Sequence, residues 1–507
     1  MKLSFFNSLT GKKEEFTPLE PGKVSIYNCG VTVYDKCHLG HARGAVNFDV
    51  LRRFLQGLGY HVTYVKNYTD IDDKIINRAA ERGISISDLT QEMINLHDRD
   101  MAALGIQPPD FAPKATECVP AMQAIIQTLI DKGFAYASQG DVYFRVAKDA
   151  DYGKLSKKSL DDLIAGHRVE PGEQKENPLD FALWKANKGE AAKWESPWGP
   201  GRPGWHIECS AMIESQFHGT IDIHAGGSDL IFPHHENEIA QSESAFGRPF
   251  ARFWLHNGMI QIQSQKMSKS LGNFATLEDL LQTYHPELLR FFILSSQYRA
   301  SINFSHEALL ESLEGLNRIY ESLSSAALKW HPLEPAAPAG EIVNKQQEFQ
   351  AALADDLNTP MAIAVMFELA RSLNTSKNRE TALQIYSLLL ETGNMLGMLQ
   401  VDAQDWFFLP KVSVEKQRIA LTEAIQGFFP YTHDAELQEA LKAAQANGNE
   451  LAAREIKKFL QIENHIAARM AARAAKDWAL ADRIRDQLAA LKVEIKDLDG
   501  KTHWRFR

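Results

Sequence analysis

The alternation of apolar and polar residues near the start of the chain predicts one βαβ unit. Val24, Ile26 and Tyr27 suit a buried strand, and residues 60–68 form a second β-rich run. Between them, apolar side chains recur at the spacing of a helix: Val46, Val50, Leu51, Phe54, Leu55 and Leu58. In such a unit ligands bind at the carboxyl ends of the strands, beside the N-terminus of the helix.

Later apolar runs predict an interruption of this unit followed by its continuation. Residues from about 85 to 138 have mainly helical periodicity, and residues 141–146 alternate like a strand. Residues 221–223 predict a strand that ends in a tight loop at 224–227, and residues 253–261 predict a further buried strand. The middle portion is therefore interpreted as an insertion into one nucleotide-binding fold.

From Phe304 onward the periodicity is helical. Helical runs are predicted at 305–329, 343–372, 376–398, between about 414 and 461, and at 463–492. The last residues predict a two-stranded hairpin around Asp499 and Gly500. The whole pattern predicts an α/β domain followed by an α-helical bundle and a small C-terminal domain.

Composition narrows the class of protein. The chain has 507 residues, which is too long for one hydrophobic core, with 44% hydrophobic and 24% charged residues. Its net charge of −10 means that any nucleic acid must be held by local basic patches. No apolar run resembles a signal peptide or approaches a membrane span, so we expect a cytoplasmic protein without a membrane partner. Its four cysteines fit reduced thiols or metal ligands better than a disulfide framework.

The predicted helix of the first unit begins with two histidines. His38 and His41 are three residues apart, on one face of the helix entrance, and Gly40 between them allows a nucleotide to approach the backbone closely. Imidazoles at this position can donate to phosphate oxygens as negative charge builds up. The alternative is that one or both histidines simply cap the helix.

Two cysteines, a histidine and a glutamate form a candidate metal site. Pro233 stands where a helix can begin, so His234 and Glu238 fall on one face of that helix, one turn apart. Zinc accepts thiolate, imidazole and carboxylate ligands, and Cys29 and Cys209 could complete the set. The alternative is that the cysteines are buried core residues and the helix lies on the surface, with no metal site. If a metal is bound, His235 is a competing ligand.

Two lysines follow the predicted strand at 253–261. Lys266 and Lys269 lie within five residues that also contain Ser268, next to a glycine. A solvated basic loop would have this composition. Because the segment follows a strand directly, its lysines could instead reach phosphates held at the start of the first helix.

These segments resemble the cysteinyl-tRNA synthetases, a family of class I aminoacyl-tRNA synthetases. The letters HLGH are similar to the first signature of the class, KMSKS is identical to the second, and they occur in the family's order. YNCGVTVYDKCHLGHAR, NYTDIDDK, GRPGWHIECSAM and DLIFPHHENEIAQSE are similar to cysteinyl-tRNA synthetases in particular. The resemblance covers most of residues 20–310, with Ala225 and Lys36 as small departures.

The resemblance implies an ATP-dependent cysteine–tRNA ligase. Such an enzyme joins L-cysteine to ATP as cysteinyl-adenylate, releases pyrophosphate and transfers cysteine to the 3′-terminal adenosine of tRNA(Cys). The implied site residues are His38, His41, Lys266 and Lys269 for catalysis; these four with Gly40 and Ser268 for ATP; Thr69, Trp205, His224 and Asp229 for the substrate; and Cys29, Cys209, His234 and Glu238 for one Zn²⁺. Mg²⁺ accompanies ATP, and the expected protein is a monomer.

The expected fold is a Rossmann-type catalytic domain in two halves. We divide the chain into the first half (1–100), a connective insertion (101–198), the second half with the zinc site and the KMSKS segment (199–304), a helical bundle that contacts the tRNA stem (305–400) and an anticodon-binding region (401–507). In the last region Trp504, Arg505 and Arg507 have the chemistry for base stacking and phosphate binding.

Two functions of other classes compete with this interpretation. A small-molecule ligase or another nucleotidyltransferase would share the HLGH motif and the metal, but would have no use for the C-terminal region. A catalytically silent RNA-binding paralogue would keep the fold and lose one of the two signatures. Both signatures are intact.

Overall fold

The structure, a computed structural model, describes residues 1–158, 175–189, 192–262, 265–266, 276–406, 465–466, 468–490, 493–498 and 501–506. Within these ranges the strands are β1 (Ser4–Asn7), β2 (Lys12–Glu15), β3 (Lys23–Thr32), β4 (His61–Thr69), β5 (Ala135–Ser138), β6 (Asp141–Phe144), β7 (Phe181–Ala186), β8 (Gly201–Pro203), β9 (Ile221–Gly227), β10 (Ala251–Asn257), β11 (Ile260–Ile262), β12 (Gln265–Lys266), β13 (Ile302–Phe304), β14 (Val493–Leu498) and β15 (Lys501–Phe506).

The helices of the same ranges are α1 (Leu39–Gly57), α2 (Asp73–Arg82), α3 (Ile86–Ala103), α4 (Val119–Asp131), α5 (Trp205–Phe217), α6 (Glu236–Phe246), α7 (Leu277–Thr283), α8 (Pro286–Leu294), α9 (His306–Trp330), α10 (Glu341–Ala354), α11 (Thr359–Thr375), α12 (Arg379–Met395) and α13 (Trp478–Ala490). None of these helices combines the length and apolar character needed to span a bilayer.

The central sheet is parallel, with strand order β10-β9-β3-β4. α1 connects β3 to β4, so the βαβ unit predicted from the periodicity is confirmed. The α/β fold class is confirmed as well. β3 and β9 are the inner strands, and their carboxyl ends meet the N-terminus of α1.

Two predictions about this sheet are wrong. The run at 253–261 is two strands in different sheets, β10 and β11, because Gly258 between them donates to the carbonyl oxygen of Tyr298. Residues 224–227 were expected to form a loop, but β9 continues to Gly227 and pairs with β10 over its whole length. Gly226 is needed here because a Cβ atom would meet the His235 ring at 2.8 Å. His224 is therefore a fully buried strand residue instead of a loop residue.

A second sheet lies mainly in the predicted insertion (101–198), with its last strand, β8, just beyond that range. It is antiparallel, with the order β5-β6-β7-β8, and α4 packs against its first strand. β8 ends at Pro203, directly before α5, so the inserted sheet leads straight into the helix that carries Cys209. Residues 159–174 of this region lie outside the described residues.

The C-terminal helices differ from the predicted runs in two places. The run at 343–372 is two helices, because Asp356 and Leu357 have φ values of 59° and 50° and interrupt it before α11. The run at 463–492 is interrupted at Lys476, which also has a positive φ of 60°. The pairing of β14 with β15 confirms the terminal hairpin. The helices expected between 414 and 461 lie outside the described residues.

A buried ion pair joins α1 to the helical bundle. Asp49 of α1 accepts a hydrogen bond from the guanidinium of Arg290 in α8, and both side chains are about 1% exposed. Arg290 also donates to the carbonyl oxygens of Leu396, after α12, at 2.6 Å and of Leu104 at 3.1 Å. A buried ion pair needs such additional hydrogen bonds to offset its desolvation. The pair therefore fixes α1, and the site at its N-terminus, relative to the bundle.

Candidate metal centre and nucleotide site

Cys29 lies at an irregularity of β3. The pairing of β3 with β4 shifts register between Asn28 and Val31, so Cys29 and Gly30 lie outside the regular register of the two strands. Gly30 is required there, because a Cβ atom at this position would meet the carbonyl oxygen of Asn67 at 1.6 Å. A bulge in the strand thus presents the Cys29 thiol at the carboxyl end of the sheet.

The four predicted metal ligands converge on one point. The Sγ atoms of Cys29 and Cys209 are 3.6 Å apart, and Cys29 Sγ is 3.6 Å from Glu238 Oε1. His234 Nε2 lies 3.6 Å from Cys209 Sγ and 2.9 Å from Glu238 Oε1. These donor atoms lie within 4.8 Å of one another, although they come from β3, α5 and the turn that begins α6.

The spacing of these atoms fits a zinc ion. Bonds of about 2.3 Å from zinc to sulfur put two sulfurs of a tetrahedral site roughly 3.8 Å apart, and shorter bonds to nitrogen and oxygen give roughly 3.3 Å. The distances of 3.6 and 2.9 Å follow that order. Two thiols, one imidazole and one carboxylate also form a donor set that binds zinc in preference to magnesium or calcium.

A second donor set overlaps the first. Cys29, His224, His235 and Glu238 also offer atoms within 4.8 Å of one another. His224 Nε2 is 2.8 Å from Glu238 Oε2, and His235 Nε2 is 3.3 Å from Cys29 Sγ. His235 was anticipated from the sequence as a competing ligand. Geometry alone leaves both sets available, with Cys29 and Glu238 common to them.

His256 is a member of this cluster that the sequence did not indicate. Its Nε2 atom lies 2.8 Å from Nδ1 of His235, and its Nδ1 atom lies 2.8 Å from the hydroxyl oxygen of Ser8. Burial lowers the pKa of His256 to about 3, so the ring is neutral. A histidine inside the apolar run FWLHN was the available signal. Through this hydrogen bond, His256 fixes the orientation of the His235 ring.

The charges within the cluster are set by its members. The hydrogen bond with Cys29, together with His234, lowers the pKa of Cys209 to about 6. Burial opposes ionisation of His234, but Glu238 and Cys209 outweigh it and raise the pKa of His234 to about 10. Burial likewise opposes ionisation of Glu238, while His224 and His234 lower its pKa well below the usual range. Without a metal, the site therefore holds a thiolate, a carboxylate and an imidazolium.

The predicted substrate residues lie around this cluster in different ways. Trp205 stacks on the His234 ring at 4.1 Å between centroids and is 38% exposed, so it covers the site toward solvent. The Thr69 hydroxyl donates to the buried carboxylate of Glu208 at 2.8 Å. Asp229 is exposed in a short turn after β9. Glu208, which the sequence did not indicate, is detectable only as an acid in an otherwise apolar helix face.

His224 packs most deeply of the predicted substrate residues. Its ring stacks on Trp254 at 4.3 Å between centroids. Nε2 faces Glu238, whereas Nδ1 is buried and has no hydrogen-bond partner within the described part of the chain. The ring therefore has one unused donor or acceptor at the edge of the donor cluster.

The two histidines of the HLGH motif cap α1. Gly40 N–H donates to His38 Nδ1 at 3.1 Å, and His38 N–H donates to His41 Nδ1 at 3.3 Å. The two rings stack at 3.7 Å between centroids. The capping alternative is thus realised. It also explains Gly40, because a Cβ atom there would meet the His38 ring at 2.8 Å.

Capping leaves both histidines able to act on phosphate. Burial lowers the pKa of His38 to about 4 and lowers that of His41 well below its usual value, so both rings are neutral near pH 7. A neutral imidazole that accepts through Nδ1 carries its proton on Nε2. Both rings therefore present an Nε2–H donor at the N-terminus of α1, where phosphate is also favoured by the helix dipole.

Both flanks of the KMSKS segment are tied to the start of α1. Arg43, fully buried, donates to the carbonyl oxygen of Met259 at 2.8 Å, just before β11. On the other side, Thr276 forms a β-bridge with His38, and Leu277 N–H donates to the Cys37 carbonyl at 2.7 Å. The segment between these ties therefore begins and ends next to the HLGH helix.

The position of Lys266 differs from the prediction. It was expected in a loop, but its backbone belongs to β12, which pairs with β11. Ser268 and Lys269 lie outside the described residues, so their predicted roles stay predictions. Lys36, noted above as a departure, forms an ion pair with Glu278 of α7 and strengthens the tie between the two motifs.

Comparison with known proteins agrees with this geometry. Residues 15–314 match the family model described as the tRNA synthetases class I (C) catalytic domain. Residues 348–400 match the DALR domain, and residues 461–505 match the cysteinyl-tRNA ligase anticodon binding domain. The matches follow one another along most of the chain.

Full-length relatives and solved structures were also found. The chain is 47% identical to the cysteine–tRNA ligase of Syntrophotalea carbinolica over 100% of both chains, and 48% identical to that of Pseudomonas syringae pv. tomato over 99% of both. The structure of Mycobacterium tuberculosis methionyl-tRNA synthetase with methionyl-adenylate aligns with a TM-score of 0.55 at 16% identity, covering 78% of this chain and 96% of that one. At that identity the likeness establishes the fold alone.

Proposed function

The chain belongs to the cysteine–tRNA ligase family of the class I aminoacyl-tRNA synthetases, and on that premise we propose that it activates L-cysteine with ATP and transfers it to tRNA(Cys). The observation that carries the proposal is the convergence of Cys29, Cys209, His234 and Glu238 at the carboxyl end of the sheet, where β3 leads into α1. A thiol-selective site and a phosphate-binding helix start thus lie at the same end of one parallel sheet.

The four donors would hold a zinc ion that selects the amino acid. Serine differs from cysteine by one atom, and pocket shape separates such near-isosteres by only about 10²-fold, whereas translation needs on the order of 10⁴-fold. A bound zinc ion favours a thiolate over an alcohol as an additional ligand. Trp205 and His224 would enclose the substrate side chain, and Thr69 and Asp229 would orient its polar groups. His235 and His256 would keep the cluster in place.

The histidines and lysines would act on ATP. As the cysteine carboxylate attacks the α-phosphate, charge grows on the leaving pyrophosphate, and groups already in place stabilise it without reorganisation. His38 and His41 offer Nε2–H donors, and Gly40 keeps the helix entrance open. Lys266, Ser268 and Lys269 would contact the phosphates, with Mg²⁺ accompanying ATP.

Pyrophosphate exchange with each amino acid in turn tests this function. We expect ATP–pyrophosphate exchange to depend on cysteine, with serine at least about 10⁴-fold less effective. Charging of tRNA(Cys) with labelled cysteine is the second measurement, because it separates a tRNA ligase from a small-molecule ligase. Exchange without charging of tRNA would contradict the transfer step and favour the small-molecule ligase.

The C-terminal part would recognise tRNA. Support comes from the DALR and anticodon-binding family matches, which lie beyond the catalytic match. A truncation that removes the anticodon-binding region should end after Trp406. A cut at the predicted boundary near Gln400 would also remove Trp406, which is fully buried and stacks on Tyr320 at 4.1 Å between centroids. We expect chain 1–406 to retain cysteine-dependent exchange and to charge tRNA poorly. Normal charging by this fragment would rule out an anticodon-binding role.

A further inference from the structure

A lysine faces the phosphate end of the site from β4. Lys66 pairs with Asn28 of β3, near the carboxyl end of the parallel sheet. Side chains alternate along β4, so that Val65 packs into the core on one face and Tyr64 packs with α1 on the other. Lys66 has the parity of Tyr64. Its half-buried side chain therefore lies on the α1 side of the sheet.

An imidazole, and not a carboxylate, holds the Lys66 ammonium. Nζ lies 3.4 Å from Nε2 of His97, a residue of α3 that is 4% exposed. His97 Nδ1 lies 3.0 Å from Asp98 Oδ1, which also accepts from the hydroxyl of Tyr68. Since Nε2 accepts from the ammonium, the His97 proton resides on Nδ1 and is donated to Asp98. Among the described residues, no carboxylate lies within ion-pair distance of Lys66 itself.

The charge of Lys66 acts on the start of α1. Burial raises the pKa of Cys37, and Lys66 opposes that rise. Burial lowers the pKa of His41, and its neighbours His38, His97 and Lys66 add to that fall. Both residues flank the entrance of α1, in agreement with the place of Lys66 on the α1 side of the sheet near its carboxyl end.

Such a cation is costly unless it meets an anion. Burial lowers the pKa of Lys66, which reflects the loss of hydration around its ammonium. Asp98 offsets this only in part, because its side chain is 60% exposed and is already bonded to two donors. An incompletely neutralised lysine at the same end of the sheet as two Nε2–H donors and a helix N-terminus forms a site for a polyanion.

We propose that Lys66 is a further phosphate-binding residue of this site, positioned by His97, which contacts the polyphosphate of the nucleotide beside His41. The proposal rests on the proposed function, since the nucleotide is the ATP of that reaction. It adds a cation from β4 to the phosphate end of the site.

Equilibrium binding of three probes to the full-length protein tests the role of Lys66. We expect Lys66→Met to weaken binding of ATP and of inorganic pyrophosphate by about 10- to 100-fold, the worth of a charge-assisted hydrogen bond. The affinity for adenosine, which lacks phosphate, should stay within about twofold of that of the unchanged protein, because the variant loses only a phosphate contact. Lys66→Arg should restore most of the ATP affinity.

The matched control is Lys23→Met. Lys23 lies on β3 at the opposite end of the sheet, 59% exposed and paired with Glu20, so its loss should leave all three affinities unchanged. His97→Gln keeps the lysine and should weaken ATP binding less than Lys66→Met does. This second variant provides an independent measurement if Lys66→Met folds poorly.

The outcomes separate this inference from the proposed function. Equal loss of adenosine and ATP binding in Lys66→Met would indicate a structural role and overturn the inference. Unchanged ATP and pyrophosphate binding in that variant would also overturn it, while cysteine-dependent exchange by the unchanged protein would leave the proposed function intact. Failure of the unchanged protein to bind ATP would instead contradict the proposed function.

Discussion

Two groups of histidines lie at the carboxyl end of the same sheet, and they are built in opposite ways. The first is the helix-start pair, His38 and His41, whose Nδ1 atoms accept backbone N–H groups within one turn of chain. The second is the buried histidine cluster, defined as His224, His234, His235 and His256, whose partners come from β3, α5, α6 and β10.

The difference decides which charge each group carries. Backbone N–H donors and burial keep the helix-start pair neutral, with protons on Nε2. In the buried cluster, a carboxylate and a thiolate hold His234 in its charged form when no metal is present. One group is thus suited to donating hydrogen bonds to phosphate, and the other to binding a cation that replaces the proton.

Cys209→Ser should have the largest effect, because it removes a thiolate donor from the buried cluster. We expect bound zinc to fall from about one per chain, and the preference for cysteine over serine to fall from ~10⁴ toward ~10². Zinc content and amino-acid-dependent exchange are the measurements. Cys118→Ser, which changes a thiol outside both donor sets, is the control. Metal-free protein that still preferred cysteine by ~10⁴ would place the selectivity elsewhere.

His41→Ala and His41→Asn together separate capping from phosphate binding. Both variants lose the Nε2–H donor, so we expect both to slow adenylate formation by about 10²- to 10³-fold with zinc content unchanged. Asn retains a side-chain acceptor for the His38 N–H group, and Ala does not, so Ala alone should also lose about 1 kcal/mol of stability. Recovery of the rate in His41→Asn would mean that His41 only caps the helix.

His234→Ala and His235→Asn distinguish the two donor sets. If the ion is held by Cys29, Cys209, His234 and Glu238, we expect His234→Ala to weaken zinc binding by more than ~100-fold. His235→Asn then changes a supporting residue and should cost about 10-fold. Competition with a chromogenic chelator measures both affinities. The reverse order would assign the ion to the set that contains His224 and His235.

His38→Asn should give the smallest effect, on the pH dependence of stability. The folded-state pKa of His38, about 4, is below the unfolded value of about 6.5. The unfolded chain therefore binds more protons between these values, and the contribution of His38 is lost as pH falls from about 6.5 to 4. Asn keeps the capping acceptor and does not titrate.

Relative to His38→Asn, the unchanged protein should thus lose about 1–2 kcal/mol of stability over that pH range, after discounting for partial exposure of the ring. Thermal unfolding of both proteins at several pH values measures the difference. A difference that stayed constant from pH 7 to 4.5 would show that the folded His38 titrates normally.

The sequence by itself determined the elements with strong periodicity and the local motif. The βαβ unit, the terminal hairpin, the helix start at HLGH and the one-turn spacing of His234 and Glu238 all depend on neighbours within a few residues, and the structure confirms them. The resemblance to a known family was confirmed by the comparisons, because it rested on several ordered segments.

The sequence pattern predicts the wrong limits for a strand and a helix that are bounded by contacts with distant residues. The residues from Ala225 to Gly227 resemble a turn and predict a loop at His224, yet pairing with β3 as far as Ala225 and with β10 as far as Gly227 keeps them in a strand. Periodicity predicts one continuous run at 343–372, but the backbone at Asp356 interrupts it, and the Asp356 side chain accepts hydrogen bonds from Arg299 and Tyr298. Long-range hydrogen bonds overrode propensity in both places.

Only the tertiary structure decided which side chains form the site. His256 and Lys66 carry no motif, and each gains its significance from a partner more than 20 residues away, His235 and His97 respectively. The choice between two buried cysteines and a metal site was equally open in the sequence. Packing of β3 against α5 and α6 brings Cys29, Cys209 and Glu238 together, because distances between segments far apart in the chain are set by the shared core and not by spacing along the chain.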